Sequence, residues 1–169
     1  MNNNDDKETA KQSESLGIAE QNRIRARAIR ILGNRQMSSN EIERRLLDKG
    51  ESEEAAKETT EWLERIGAIS DVEYAAAIVR HYTEKSYGMA RIKNELFRRG
   101  IPREMWDDAI ECSEEPDEAV DEYLDRKLRG SRDKDELRRA VNALCRRGFS
   151  YDDARSAVSR YLENTEESE

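Results

Sequence analysis

Three times along the chain an apolar residue, a leucine and a glycine follow one another at four-residue intervals. The copies are Ile42, Leu46 and Gly50; Ile92, Leu96 and Gly100; Ala140, Leu144 and Gly148. The glycines stand 50 and then 48 residues apart. Four-residue spacing stacks the two apolar side chains on one helix face, and the glycine ends the helix in a left-handed turn. Recurrence at a fixed period of this size marks a tandem array whose units hide their apolar faces against one another. The pattern predicts an all-α protein, a tandem array of three three-helix repeats, elongated and curved.

Apolar spacing along the rest of the chain predicts nine helices of roughly three to four turns each. The positions read as inward include Ile24, Ala28 and Ile31 in the first and Ala56, Thr59, Leu63 and Ile66 in the third. In the fourth they are Val72, Ala75, Ala76, Val79 and Tyr82, and in the fifth Met89, Ile92 and Leu96. Ser38 with Glu41, Ser70 with Glu73 and Ser150 with Asp153 have the spacing of capping boxes. Pro102 and Pro116, the two prolines, suit the first turn of a helix. Divided by the glycine period, the helices give repeats at 18–66, 70–113 and 115–163. Residues 1–17 and 164–169 are polar and acidic and are expected to be disordered tails.

Composition narrows the function classes. No apolar run is long enough to span a bilayer, and the amino terminus lacks a signal-peptide core. Cys112 and Cys145 have no Cys-x-x-Cys context, which fits two semi-buried thiols in a reducing cytoplasm. There is no phosphate-binding loop, and one histidine with two distant cysteines makes no zinc site. His81, the single imidazole, lies mid-helix with no nucleophile motif to serve. The expectation is a non-enzymatic protein without cofactor or metal.

The net charge is −8, but most of it belongs to the tails, and the body is divided into blocks. Residues 23–35 hold five arginines and no acid, and residues 80–103 hold seven Lys/Arg against two Glu. Residues 104–125 hold eleven acids and no Lys or Arg; residues 126–147 return to nine basic against three acidic. With the Ile/Ala and Leu of each motif helix turned inward, the 3.6-residue period sends Arg91, Asn94 and Arg98 outward in the second repeat. The matching positions are Arg139, Asn142 and Arg146 in the third repeat and Glu41, Arg44 and Asp48 in the first. Arg98–Arg99 and Arg146–Arg147 also precede the glycine in the last two repeats. Two readings follow. Long arginine stems can cover apolar neighbours and pair with nearby acids, or the matched pairs can track a phosphate backbone or an acidic protein groove. Lys85 and Arg30 are further candidates for such a surface. Tyr87, beside Gly88, either adds an aromatic contact or closes a helix junction.

Gly67-Ala68-Ile69-Ser70-Asp71-Val72-Glu73-Tyr74-Ala75 resembles the opening of the second repeat of RecX-family regulators. Tyr87-Gly88, Arg91-Ile92, Glu95-Leu96 and Arg99-Gly100-Ile101 follow in family order. Ala28–Leu32, Ser38–Ile42 and Leu46–Gly50 are similar to the family's first repeat, and Arg146–Ser150 to its third. The resemblance spans residues 24–162. Its family positions include Asp71, Tyr74, Gly88, Ile92, Leu96 and Gly100. Ser70 departs from the acid or Asn usual there, but serine suits a helix cap.

The resemblance implies a cytoplasmic negative regulator of the RecA recombinase that lies along the groove of the RecA–single-stranded DNA filament. It implies suppression of ATP hydrolysis and strand exchange, with no cofactor and with DNA binding of variable strength. A monomer is expected, because the acidic tails oppose self-association. The alternatives are a stand-alone DNA-binding helical repeat protein, or a helical scaffold that binds proteins through the acids of 104–125.

Overall fold

The three motif glycines end three helices in the same way. In a computed structural model, which describes residues 4–33, 35–112 and 117–166 and side chains only between residues 17 and 165, these helices are α2 (Ser39–Asp48), α5 (Met89–Arg98) and α8 (Lys134–Arg146). Gly50, Gly100 and Gly148 take φ of +86°, +68° and +98°. The amides of Glu51, Ile101 and Phe149 then reach back to the carbonyls of Leu46, Leu96 and Leu144 at 3.2, 3.0 and 3.2 Å. The glycine amides bond the carbonyls of Leu47, Phe97 and Cys145 at 2.9, 3.0 and 3.0 Å. This pair of hydrogen bonds satisfies carbonyls that the helix end would otherwise leave without partners.

The remaining helices are α1 (Asn4–Leu32), α3 (Glu53–Arg65), α4 (Asp71–Glu84), α6 (Trp106–Glu111), α7 (Asp117–Leu128) and α9 (Tyr151–Glu166). A 3₁₀ turn, Arg103–Met105, follows Pro102 and leads into α6. Each motif pair lies at the centre of its own apolar core. Ile42 and Leu46 pack with Ile24, Ala28, Met37, Ala56, Leu63 and Ile69. Ile92 and Leu96 pack with Tyr74, Ala75, Ile78, Val79, Ile101 and Ala109. Ala140 and Leu144 pack with Val120, Leu124, Leu128, Ala154, Ala157, Val158 and Tyr161. All six motif side chains are buried. Three helices to a core are what short amphipathic helices need, since motif helices of 10 to 13 residues are marginal alone.

The chain divides into two compact units, Met1–Asp71 and Val72–Glu169. The first holds one three-helix core, and the second holds the other two. Ser38 forms the expected capping box: its Oγ accepts from the Glu41 amide at 3.1 Å while its own amide donates to Glu41 Oε2 at 3.3 Å. At Ser150 the hydroxyl accepts from the Asp153 amide but donates to the Asp153 carboxylate, so that box is only half formed. Ser52 caps α3 without the box spacing that marks a cap in the sequence, whereas Asp133, which caps α8, stands three residues before Glu136 and so has that spacing.

Several expectations are corrected. Helix α1 extends back to Asn4, through residues expected to be a disordered tail; their Ala, Lys, Gln and Glu content favours helix. At the other end α9 runs to Glu166, past the expected tail boundary. Residues 113–116, with Pro116 and two predicted repeat boundaries, lie outside the described residues, as do 167–169. Val72, Ile66 and Met89 are exposed rather than inward. In α4 the buried apolar set is Tyr74, Ala75, Ile78 and Val79, with Tyr82 packed against it; Ala75, Val79 and Tyr82 are inward as expected, while Tyr74 and Ile78 take the place given to Val72 and Ala76. Cys112 is exposed and Cys145 half-buried; both are free thiols.

Candidate functional site

Within the second unit, the carboxyl end of α8 abuts the amino end of α5. Gly88, which starts α5, has no side chain to cap the helix. Its amide donates instead to the Arg147 carbonyl at 3.0 Å, and the Ala90 amide to the Gly148 carbonyl at 3.1 Å. The carbonyl end of one helix thus serves the amide end of the other, the favourable sense for two helix dipoles. The backbones touch: a Cβ on Gly88 would lie 2.3 Å from Gly148 C and Phe149 N, and one on Gly148 2.6 Å from Arg91 N.

Arg147 fastens this junction. Its Nε donates to the Ser86 carbonyl at 2.8 Å and its Nη2 to the Lys85 carbonyl. The guanidinium lies over two rings, 4.3 Å from the centre of Tyr87 and 4.6 Å from that of Tyr123. Ser86 is buried at a positive φ of 57°, and its Oγ donates to the Ala119 carbonyl at 2.6 Å. The sequence pattern makes Arg147 a candidate contact for a partner; its geometry takes it off that surface and makes it an internal bridge. Tyr87 likewise closes the junction, beside Tyr82 and under Arg147.

The other candidates separate by what they touch. Arg99 is two-thirds buried, with Nε on Glu95 Oε1 at 2.8 Å and Nη1 on the Tyr74 hydroxyl at 3.1 Å, so it too is held internally. Arg98 is 63% exposed and shares one nitrogen with Glu95 at 3.2 Å. Arg91 is exposed, its guanidinium 5.8 Å from the Tyr87 ring centre. Arg139 and Arg146 are exposed on α8. Lys85 presents its side chain to solvent while its carbonyl serves Arg147. The head-to-tail junction therefore places two helices that each carry an outward arginine pair end to end. Gly148, two residues beyond Arg146, lies against the Arg91 backbone.

The first unit uses its arginines differently. Glu51, its side chain 5% exposed, accepts from Arg23 at 3.0 Å and from Arg27. Arg25 lies over Trp62 at 4.9 Å, Arg35 pairs with Glu41 at 3.5 Å, and Arg30 bonds the Ala26 carbonyl of its own helix. The five-arginine block thus binds its own unit together. The acidic block is also partly answered within the second unit: Arg160 holds Asp117 at 2.8 Å and Asp121 at 3.0 Å, and the Tyr161 hydroxyl donates to Asp125 at 2.8 Å.

The family positions prove to be framework. Asp71 is buried and accepts from the Ser39 amide at 2.8 Å and the Ser39 hydroxyl. Tyr74, Ile92 and Leu96 are core, Gly88 permits the helix junction, and Gly100 ends α5. Glu95 is the buried carboxylate of α5. Burial works to raise its pKa, but the Arg99 hydrogen bond, the charges of Arg99 and Arg98 and a Tyr82 hydrogen bond outweigh it, so the carboxyl titrates below its usual range. A lowered folded-state pKa stabilises the fold fully above the unfolded value of about 4.3 and loses that effect as pH falls through the folded value. Thermal unfolding of Glu95→Gln should accordingly show a deficit against the parent at pH 6 that shrinks toward pH 3.

Among the described residues no group of His, Cys, Asp and Glu can hold a metal ion, and no helix is long and apolar enough to cross a membrane. The architecture defines a tandem helical-repeat protein with a basic outer face on two of its motif helices. Residues 70–110 match the family model described as the second three-helix domain of RecX. Over 132 residues the chain is 33% identical to the regulatory protein RecX of Pseudomonas putida, covering 76% of this chain and 85% of that one. It is 31% identical over 141 residues to the regulatory protein RecX of Xanthomonas axonopodis pv. citri, covering 82% and 87%. The crystal structure of RecX from Lactobacillus salivarius shares the fold, with a TM-score of 0.73, 24% identity, and coverage of 86% of this chain and 98% of that one. The chain belongs to the RecX family of regulatory proteins.

Proposed function

We propose that the protein is a cytoplasmic, non-enzymatic negative regulator that binds the RecA–single-stranded DNA filament and inhibits its ATP hydrolysis and strand exchange. The observation that carries this reading is the pair of solvent-facing arginine sets on α5 and α8, Arg91 with Arg98 and Arg139 with Arg146, joined end to end. A polyanionic or acidic groove is what such a surface complements. A tandem array suits a helical target, because successive units can address successive protomers and weak contacts then reinforce one another. Inhibition further requires preference for a filament state that cannot cycle or extend.

The test is ATP hydrolysis by the cognate RecA on excess single-stranded DNA, with this protein titrated in below the protomer concentration. Substoichiometric loss of hydrolysis is the expected result. Unchanged hydrolysis at equimolar protein would refute the reading.

A further inference from the structure

Helix α5 carries an aromatic side chain that no core claims. Phe97 is 65% exposed, the most exposed large apolar side chain among the described residues, although its neighbour Leu96 is completely buried. On the helix surface Lys93 and Asn94 stand one turn before it and Arg98 directly after it; all three are exposed. Arg91 lies on the same outward side. The one acid of α5, Glu95, is buried and held by Arg98 and Arg99, so the exposed residues of this helix carry positive charge only.

We propose that this face of α5 is a binding site for single-stranded nucleic acid, with an unpaired base stacked on the Phe97 ring and the adjoining phosphates on Lys93, Arg98 and Arg91. Phenylalanine has no polar atom that water would hold, so its exposure among cations leaves the ring face for a partner that is both flat and anionic. A single strand is such a partner: every base offers a π-face and every linkage a charge. A duplex hides its base faces, and an acidic peptide would answer the cations but not the ring. Sequence tolerance follows, because stacking does not read base edges. The proposal deepens the filament reading and rests on it for where the strand is met, so its test omits the recombinase.

The experiment is fluorescence anisotropy of a labelled twenty-nucleotide oligothymidylate titrated with the full chain, and with Phe97→Leu and Phe97→Tyr. Leucine keeps the apolar bulk and removes the ring; tyrosine keeps the ring. The expected result is a Kd weakened roughly tenfold by leucine and by less than twofold by tyrosine, with binding to a duplex of equal length unaffected. Irradiation of the parent with a 5-iododeoxyuridine strand should cross-link at Phe97. Absence of strand binding by the parent, or equal affinity of the parent and Phe97→Leu, overturns the site. If Phe97→Leu weakens inhibition of RecA hydrolysis while strand affinity is unchanged, the ring is an anchor for protein and the nucleic-acid assignment fails while the filament reading stands.

Discussion

Alanine at Gly148 is expected to destabilise the second unit by about 4 kcal/mol, alanine at Gly88 by about 2–3, and alanine at Gly50 to cost the first unit only about 1. The three sites separate two physical causes. Gly50 has φ +86° with nothing within 4 Å of where a methyl group would sit, so a side chain there meets backbone strain alone. Gly88 has an ordinary φ of −81°, so strain is absent, but its new Cβ would overlap the Gly148 and Phe149 backbone at 2.3 Å. Gly148 combines both, with φ +98° and an approach of 2.6 Å to Arg91 N. Backbone atoms cannot rotate away as a flexible side chain would. Relief therefore requires parting α5 from α8, with loss of the two amide–carbonyl bonds between them. The two tryptophans, Trp62 and Trp106, lie one in each unit. Urea unfolding followed by fluorescence reports the second unit alone in a Trp62→Phe background and the first unit alone in a Trp106→Phe background. Equal losses for Gly148→Ala and Gly50→Ala would show that the helix ends do not touch in solution.

The same pair of glycines shows where sequence reasoning stops. A glycine four residues beyond a buried leucine announces a helix end, and all three ends form as the spacing requires. Nothing local to Gly88 or Gly148 announces that they meet, because the contact joins residues 60 apart in the chain. Arg147 is legible as a cation and no further. Its two carbonyl partners and two rings come from outside its own helix, so the choice between a surface contact and an internal bridge is tertiary. Buried acids mislead in a similar way. Glu51 and Glu95 look like any exposed glutamate in the sequence, yet each draws in two arginines; those of Glu95, Arg98 and Arg99, are candidate contacts, and Arg99 is thereby held largely inside. In α4 a short run of small and apolar residues, Ala75-Ala76-Ala77-Ile78-Val79, permits more than one inward face, and Tyr74 with Ile78 decides it by packing into the second core. Phe97 falls outside the predicted inward set of α5, but its significance depends on exposure among cations, which only the folded helix displays.

Reversing Arg91 and Arg98 to glutamate is expected to weaken inhibition of RecA ATP hydrolysis by at least roughly tenfold, because each reversal replaces an attraction with a repulsion at the proposed interface. The pair is chosen on geometry. Both side chains face solvent on α5, and neither holds the junction by its guanidinium in the way Arg147 does. Helicity and the unfolding midpoint should therefore stay close to those of the parent, since Arg99 still holds Glu95 after Arg98 is changed. Arg139→Glu with Arg146→Glu on α8 should act in the same direction if the two helices form one surface. Arg147→Ala provides the contrast. It removes two hydrogen bonds and two ring contacts inside the second unit, so its expected loss is in stability, about 2 kcal/mol or more by urea unfolding. Higher salt should weaken inhibition by the parent more steeply than inhibition by the double reversals, because exposed charges are screened and the reversed surface has fewer attractive ones left to screen. Inhibition that survives both double reversals within twofold would remove the arginine surface from the mechanism. Inhibition lost only with Arg147→Ala would transfer the function to the shape that the junction maintains.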